Sequence, residues 1–219
     1  MIVISGILDL LFPRKCVLCG KLLDRDETDF CKKCRVDAPV CQEVTKTIPY
    51  LEQWTALWHY EDCVRESLLR YKFKGMEHYA KSYGRMLAMK ISEMHLPITY
   101  ITWVPISARR RLTRGYDQSE LLAKAVAKEL GLEVVRTLKK VRHNVAQSSI
   151  SQADKRRANV MGVYKIQNAE KVAGASILLL DDILTTGATI SECAKTLRLA
   201  GASCVYGAAV AAGKKQKSR

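Results

Sequence analysis

The stretch "ILLLDDILTTGAT", residues 177–189, decides the fold. Four apolar residues run into two adjacent carboxylates, Asp181 and Asp182, and then into a turn of threonines with one glycine and one alanine. A short apolar run bounded by turn residues reads as a buried strand. The following "GATISECAKTLRLAG" sets Ile190, Ala194 and Leu197 on one helical stripe, with Gly201 as its stop. The unit is therefore strand, loop, helix, with the strand ending at Asp181. Small residues let backbone N–H groups converge, Thr185, Thr186 and Thr189 add hydroxyls, and the helix start adds partial positive charge. Residues 185–189, with Gly187 and Ala188 at their centre, thus make a cup for a phosphate.

The loop has no lysine and matches neither the Walker pattern nor G-x-G-x-x-G. A terminal phosphomonoester held by amides suits it. Carboxylates beside a phosphate repel it unless they face another part of the ligand, and vicinal sugar hydroxyls are their natural partners. A ribose 5-phosphate satisfies both halves, its phosphate in the cup and its 2′ and 3′ hydroxyls on Asp181 and Asp182. The alternative is a plain strand–turn–helix with an N-cap threonine and incidental acids, which leaves two costly carboxylates at a buried edge.

Working outward, strands and helices alternate from about Thr99. "YITWVPI" is a strand, "DQSELLAKAVAKELG" a helix with Asp117 as N-cap and Gly131 as stop, "EVVRTL", "GVYKI" and "ASILLL" are strands, and "SCVYGAAVA" is the last strand. This order predicts an α/β fold with a mainly parallel sheet covered on both faces, and ligands beyond the carboxyl ends of the strands. Before it, "TALWHYEDCVRESLLRYKFKG" is an apolar segment leading into a helix with Val64, Leu68 and Tyr71 on one face. The chain divides into a four-cysteine module at residues 1–48, the α/β domain at 49–213 and a basic, disordered tail at 214–219.

Cys16, Cys19, Cys31 and Cys34 form C-x2-C-x11-C-x2-C. Each pair can put two thiolates on one ion, and two such knuckles complete a tetrahedral site that suits structural zinc. A disulfide-bonded set and a redox C-x-x-C are the alternatives. Cys41 is a candidate spare ligand, although no other cysteine stands at knuckle spacing from it, and Cys63, Cys193 and Cys204 read as core.

The 219 residues carry a formal charge of +14, concentrated in the middle of the chain. Residues 101–160 hold 13 basic against 5 acidic side chains, whereas residues 1–60 hold 8 of each. Arginine-rich runs such as "SARRRLTRG" and "DKRRANV" favour a polyanion or phosphorylated ligand over a merely solvated face. No apolar run approaches membrane length, and the opening residues lack a basic n-region and a cleavage site, so a cytoplasmic protein without membrane insertion is expected.

The 177–189 stretch resembles the phosphoribosyl-pyrophosphate motif of type I phosphoribosyltransferases. With the cysteine module, "YKFKG", "VPISARRRLTRGYDQSELLAKAVA" and "QSSISQADKRRANV", the chain resembles the ComF/GntX branch of that superfamily, bacterial proteins linked to natural competence. The resemblance implies phosphoribosyl pyrophosphate as ligand, with Mg²⁺. It places pyrophosphate on Arg109, Arg111, Arg114 and Gly115, and a mobile catalytic loop on residues 142–160, with Arg142, Gln147, Arg156, Arg157 and Asn159 as candidates. No catalytic residue is fixed; Asp181, Asp182, Arg142 and Arg157 are the candidates. It also implies DNA uptake, with single-stranded DNA and a helicase-type competence protein as partners. Trp54, Trp58, Tyr60, Tyr71 and Phe73 are candidates for stacking bases. An active transferase with an unidentified acceptor is the alternative, although no base-recognition hood is visible in "GAAVAAGKKQKSR". A transcriptional regulator is a third reading, without a helix-turn-helix to support it.

Overall fold

The computed structural model describes residues 13–42, 46–141 and 162–214. Its centre is a five-stranded sheet in the order β1 (Trp54–His59), β7 (Cys204–Ala212), β6 (Ser176–Leu184), β2 (Tyr100–Trp103), β3 (Glu133–Val134), with every pair parallel. Both faces are covered, as near-continuous apolar strands require. On one face lie α2 (Asp62–Phe73), α3 (Tyr79–Ser92) and α5 (Gln118–Leu130), which bury Leu68, Tyr71, Tyr83, Leu87, Leu122 and Val126 against Leu178 and Leu180. On the other lies α7 (Ala188–Leu199), whose Ile190, Ala194 and Leu197 meet Ile177 and Leu179 as the stripe predicts. Two short helices, α1 (Lys32–Asp37) in the cysteine segment and α6 (Ala169–Val172) just before β6, complete this part of the order. Each of these fully buried leucines contributes about 1.5–3 kcal/mol relative to exposure.

The expected helix over residues 117–131 forms with its caps in place: the Asp117 carboxylate accepts the N–H groups of Ser119 and Glu120, and Gly131 closes the end in the left-handed region. Alongside it, α3 has no counterpart in the sequence reading. It approaches α5 so closely that a Cβ on Gly84 would sit 2.4 Å from the Cβ of Ala125.

Strand boundaries differ from expectation: β2 ends at Trp103, short of the end of "YITWVPI", and two further differences bear on the site. "EVVRTL" is not one strand: β3 stops at Val134, and the chain then leaves the main sheet to form β4 (Leu138–Lys140), antiparallel to β5 (Tyr164–Ile166). The buried Thr137 is fastened at this break by its hydroxyl, 2.8 Å from that of Thr102. The strand of the decisive stretch does not end at Asp181 but continues to Leu184. The reason is its neighbours: pairing with β7 persists to Leu184 opposite Ala212, while pairing with β2 ends at Leu180 opposite Trp103. From Asp181 onward, β6 is therefore bonded on one side only.

The cysteine segment is not a separate bead. Cys16, Val17, Leu18, Phe30 and Cys34 share the core of α2 and α3, and the Phe30 ring meets Trp58 edge-on at 5.7 Å. The Arg70 guanidinium donates to the carbonyl of Leu18 at 2.6 Å, and the Ser82 hydroxyl to Asp29 at 2.6 Å. At the other end of the described chain, Lys214 pairs with Glu61 at 2.7 Å.

Candidate functional site

Helices that follow neighbouring strands on opposite faces open a crevice at the carboxyl edge of a parallel sheet. Here α5, which follows β2, lies on one face and α7, which follows β6, on the other. The switch point thus falls between β2 and β6, where their pairing stops after Leu180. Asp181 and Asp182 stand at that opening.

Successive strand residues point to opposite faces, and the two acids part accordingly. The Asp182 carboxylate meets the Lys72 ammonium at 2.7 Å, both side chains largely buried. The Asp181 carboxylate accepts from the Ser119 hydroxyl at 3.2 Å and from the Asp182 backbone N–H at 2.9 Å. Burial first, and the Asp182 charge second, push the Asp181 carboxyl well above the usual carboxylate range, with Lys72 opposing. Tyr164, Lys140 and Cys193 share the Asp181 side. Lys140 lies over the Tyr164 ring, and burial lowers its ammonium pKa.

The raised Asp181 carboxyl has a consequence for stability. As pH rises, the unfolded chain ionises first, near the ordinary value of about 3.9, so stability is lost between there and the higher folded value. Asp181→Asn keeps the acceptor oxygen without the charge. Its expected effect at neutral pH is a gain of about 1–2 kcal/mol, the usual scale for relieving a destabilised functional site. The gain shrinks toward zero as pH falls below the unfolded value; urea denaturation across that range measures it, and a gain independent of pH refutes the assignment.

Beyond β6, residues 185–189 form the expected turn into α7. Gly187 is its N-cap, with φ +77°, a conformation that favours glycine. No threonine caps through that position; instead the Thr186 hydroxyl accepts the Ala188 N–H at 3.3 Å. Thr185 is exposed, and Thr186, Ala188 and Thr189 are half-buried.

The arginine run after β2 is a short helix, α4 (Ala108–Arg114), with Ser107 as its N-cap. Its arginines diverge. Arg114 donates to the Gln118 side chain at 2.9 Å, lies 4.7 Å over the Phe73 ring and is within electrostatic reach of Asp182. Arg111 pairs with Glu120 at 3.3 Å, and Arg109 is exposed. Gly115 is the left-handed C-cap of α4, and no atom approaches its Cβ position within 4 Å. The left-handed turn by itself favours glycine at this position. Arg142, Gln147, Arg156, Arg157 and Asn159 lie outside the described residues.

Sequence reasoning missed Lys72, Ser119, Lys140 and Lys46, which reach the site from distant segments. Lys46 donates to the Thr186 carbonyl at 2.5 Å across 140 residues of chain. "YKFKG" was a signal for Lys72, because a positive pair at the end of an amphipathic helix sits at the mouth of the sheet. Of the proposed stacking aromatics, Trp58 and Tyr71 are buried in the core. Phe73 is 60% exposed. After the motif and α7, residues 204–212 form strand β7.

The four knuckle thiols lie within 4.8 Å of one another. Cys19 and Cys31 are 3.7 Å apart, against roughly 3.8 Å between thiolates tetrahedrally bonded to zinc at about 2.3 Å. None of the eight cysteines is in a disulfide. Burial, with Cys19 and Cys31 crowded against it, pushes the Cys34 thiol up, a cost that a bound divalent cation offsets. The donor set and spacing fit structural zinc. Glu27, buried inside the module, holds its loop by accepting the N–H groups of Asp24 and Lys32 at 2.8 and 2.6 Å. Cys41 packs apart from the cluster, against Ala56 and Ala212. Cys193 is buried as expected, whereas Cys63 and Cys204 are half-buried.

Fold and site together define a phosphoribosyltransferase-like domain carrying a zinc module. Residues 117–219 match the phosphoribosyl transferase domain family, and residues 7–57 match the double zinc ribbon domain family. Competence protein F of Haemophilus influenzae is 27% identical over 169 residues, covering 74% of this chain and 73% of that protein. Competence protein ComFC of Bacillus subtilis is 27% identical over 184 residues, covering 83% and 70%. DNA utilization protein YhgH of Escherichia coli K12 is 25% identical over 205 residues, covering 87% and 86%. Among solved structures, glutamine phosphoribosylpyrophosphate amidotransferase of B. subtilis, complexed with ADP and GMP, aligns with a TM-score of 0.45 and 23% identity. The alignment covers 64% of this chain and 30% of that one. The chain is thus similar along most of its length to competence and DNA utilization proteins, and it carries a phosphoribosyltransferase-like domain behind an N-terminal four-cysteine module. No helix among the described residues is long and apolar enough to cross a membrane.

Proposed function

We propose that this chain is a cytoplasmic, competence-associated protein that binds phosphoribosyl pyrophosphate with Mg²⁺ and handles single-stranded DNA beside a helicase-type partner. The observation that carries the reading is the opening of the sheet after Leu180, which sets both aspartates beside the small-residue turn into α7. In this reading residues 185–189 hold the 5-phosphate through backbone N–H groups, and Asp181 and Asp182 receive the ribose hydroxyls. Arg114 meets the pyrophosphate from the β2 side, with Arg109 and Arg111 along the same helix and Arg142 and Arg157 from the loop outside the described residues. Mg²⁺, a hard cation, suits oxygen donors, and among the described residues Lys72 is in direct contact with Asp182 while Asp181 accepts from a hydroxyl and a backbone N–H. The ion would neutralise charge on the pyrophosphate. The zinc module at 1–48 and the ligand domain at 49–213 are the functional division.

The names of the relatives, competence and DNA utilization proteins, support the DNA side. So do the exposed Arg109 and Arg110, beside the exposed Leu112 and Phe73. Titration with phosphoribosyl pyrophosphate and Mg²⁺, repeated with single-stranded DNA, tests the proposal. Binding by the wild type and its loss in the Asp181→Asn, Asp182→Asn double variant are expected; absence of binding by the wild type overturns it. DNA affinity should fall by several powers of ten between low and moderate salt, as for roughly 6–10 phosphate contacts. A flat salt response removes the DNA role.

A second reading, an active transferase, is favoured by Phe73, an exposed ring with Arg114 stacked on it. Pyrophosphate release across a panel of planar bases is its readout, and silence across the panel removes it.

A further inference from the structure

The segment leading out of the zinc module lies on the phosphate turn. Lys46 donates through Nζ to the Thr186 carbonyl at 2.5 Å, and its own carbonyl accepts the Trp54 indole N–H at 2.6 Å. Two residues on, the buried Ile48 packs against Gly187 so tightly that a Cβ there would meet its Cδ1 at 3.0 Å. Leu51 packs on Gly207 of β7, and the Glu52 N–H donates to the Val205 carbonyl at 2.9 Å. Upstream, Cys41 is tied to β1 through the Leu57 carbonyl, also at 2.9 Å. Residues 46–54 are thus a strap, fixed to the sheet at its far end and touching the turn at Thr186 and Gly187.

A trans peptide unit is planar, so its C=O and N–H point in opposite directions. Holding the Thr186 carbonyl toward Lys46 therefore aims the Gly187 N–H the other way. Without a holder, the left-handed Gly187 is the residue of the turn freest to rotate.

We propose that Lys46 is a positioning residue of the phosphate turn. It fixes the Thr186–Gly187 peptide so that the Gly187 N–H faces the 5-phosphate, and it joins the chain leaving the zinc module to ligand binding. The proposal rests on the ribose-phosphate reading of residues 185–189. It supplies from a remote segment the lysine that the turn itself lacks, and uses it on the backbone of the turn. A preset N–H costs no reordering when the anion arrives.

The test compares wild type, Lys46→Ala and Lys46→Arg by two measurements. The first is the Gly187 amide resonance in ligand-free protein. The second is calorimetric titration with phosphoribosyl pyrophosphate and Mg²⁺. Lys46→Ala should shift or broaden the Gly187 amide before any ligand is added, and weaken binding about tenfold, the scale of one hydrogen bond to a charged group. Zinc content should be unchanged, and Lys46→Arg should restore most of both signals. An unmoved Gly187 amide, or wild-type affinity in Lys46→Ala, overturns the proposal. If the wild type binds no phosphoribosyl pyrophosphate, the ribose-phosphate reading fails, and with it the role given to Lys46, even where the ligand-free amide responds. Binding by the wild type with no response to Lys46→Ala removes the Lys46 role alone.

Discussion

Lys72→Ala is expected to destabilise the fold by about 3–5 kcal/mol, the cost of leaving a buried carboxylate without its partner. Lys72 is 17% exposed and Asp182 5%, and the pair is 2.7 Å apart, so water does little to replace the missing ammonium. Adding Asp182→Asn to the variant should recover much of the loss, because the stranded charge is then gone. A four-way comparison by chemical denaturation isolates the coupling. A single variant that loses less than about 1 kcal/mol, the value of an exposed pair, would show that the ammonium and carboxylate do not depend on each other. The pair also has a bearing on binding. On the proposed reading, Lys72 occupies one side of a carboxylate that would receive a sugar hydroxyl, so the fold supplies that carboxylate's counter-charge.

The second large effect concerns metal. Chelation, or Cys34→Ser, is expected to remove zinc and unfold residues 13–37, because the module has little apolar material besides what it shares with α2 and α3. Structural zinc sites of this kind carry about 10–16 kcal/mol of apparent binding free energy, all of it available to folding. Trp58 is the natural reporter, buried between Phe30 and Tyr83 with ring centroids at 5.7 and 6.2 Å. Its emission should shift to the red on chelation and return on adding zinc, while the four knuckle thiols become reactive together. Unchanged emission, with the thiols exposed, would mean that the module contributes nothing to that core.

Local signals served well wherever one short segment settled its own structure. Asp117 and Gly131 marked both ends of α5, the Ile190–Ala194–Leu197 stripe placed α7, and the cysteine spacing brought four thiols to one point. What escaped was set by partners far away in the chain. The extension of β6 past Asp181 depends on how far β7 and β2 each accompany it, and no pattern within residues 177–189 encodes that. The break in "EVVRTL" depends on Thr102, 35 residues before Thr137. Lys72 and Lys46 look like ordinary surface lysines until the fold carries them to Asp182 and Thr186. The arginine run was legible as charge but not as direction, because a helix turns neighbouring residues to different sides. Arg114 therefore faces Phe73 while Arg111 faces Glu120.

The contact between Gly84 and Ala125 has a mechanical consequence. Two helices that touch backbone to backbone cannot slide without a clash, and the cysteine segment is clamped to the same side by Arg70 and Ser82. That half of the protein is a stiff plate. The opposite half is a mosaic of α7, a two-stranded ribbon and the strap over Gly187, each held by separate fastenings. On the proposed reading, any accommodation the crevice makes for an incoming molecule would fall to the mosaic and not to the plate.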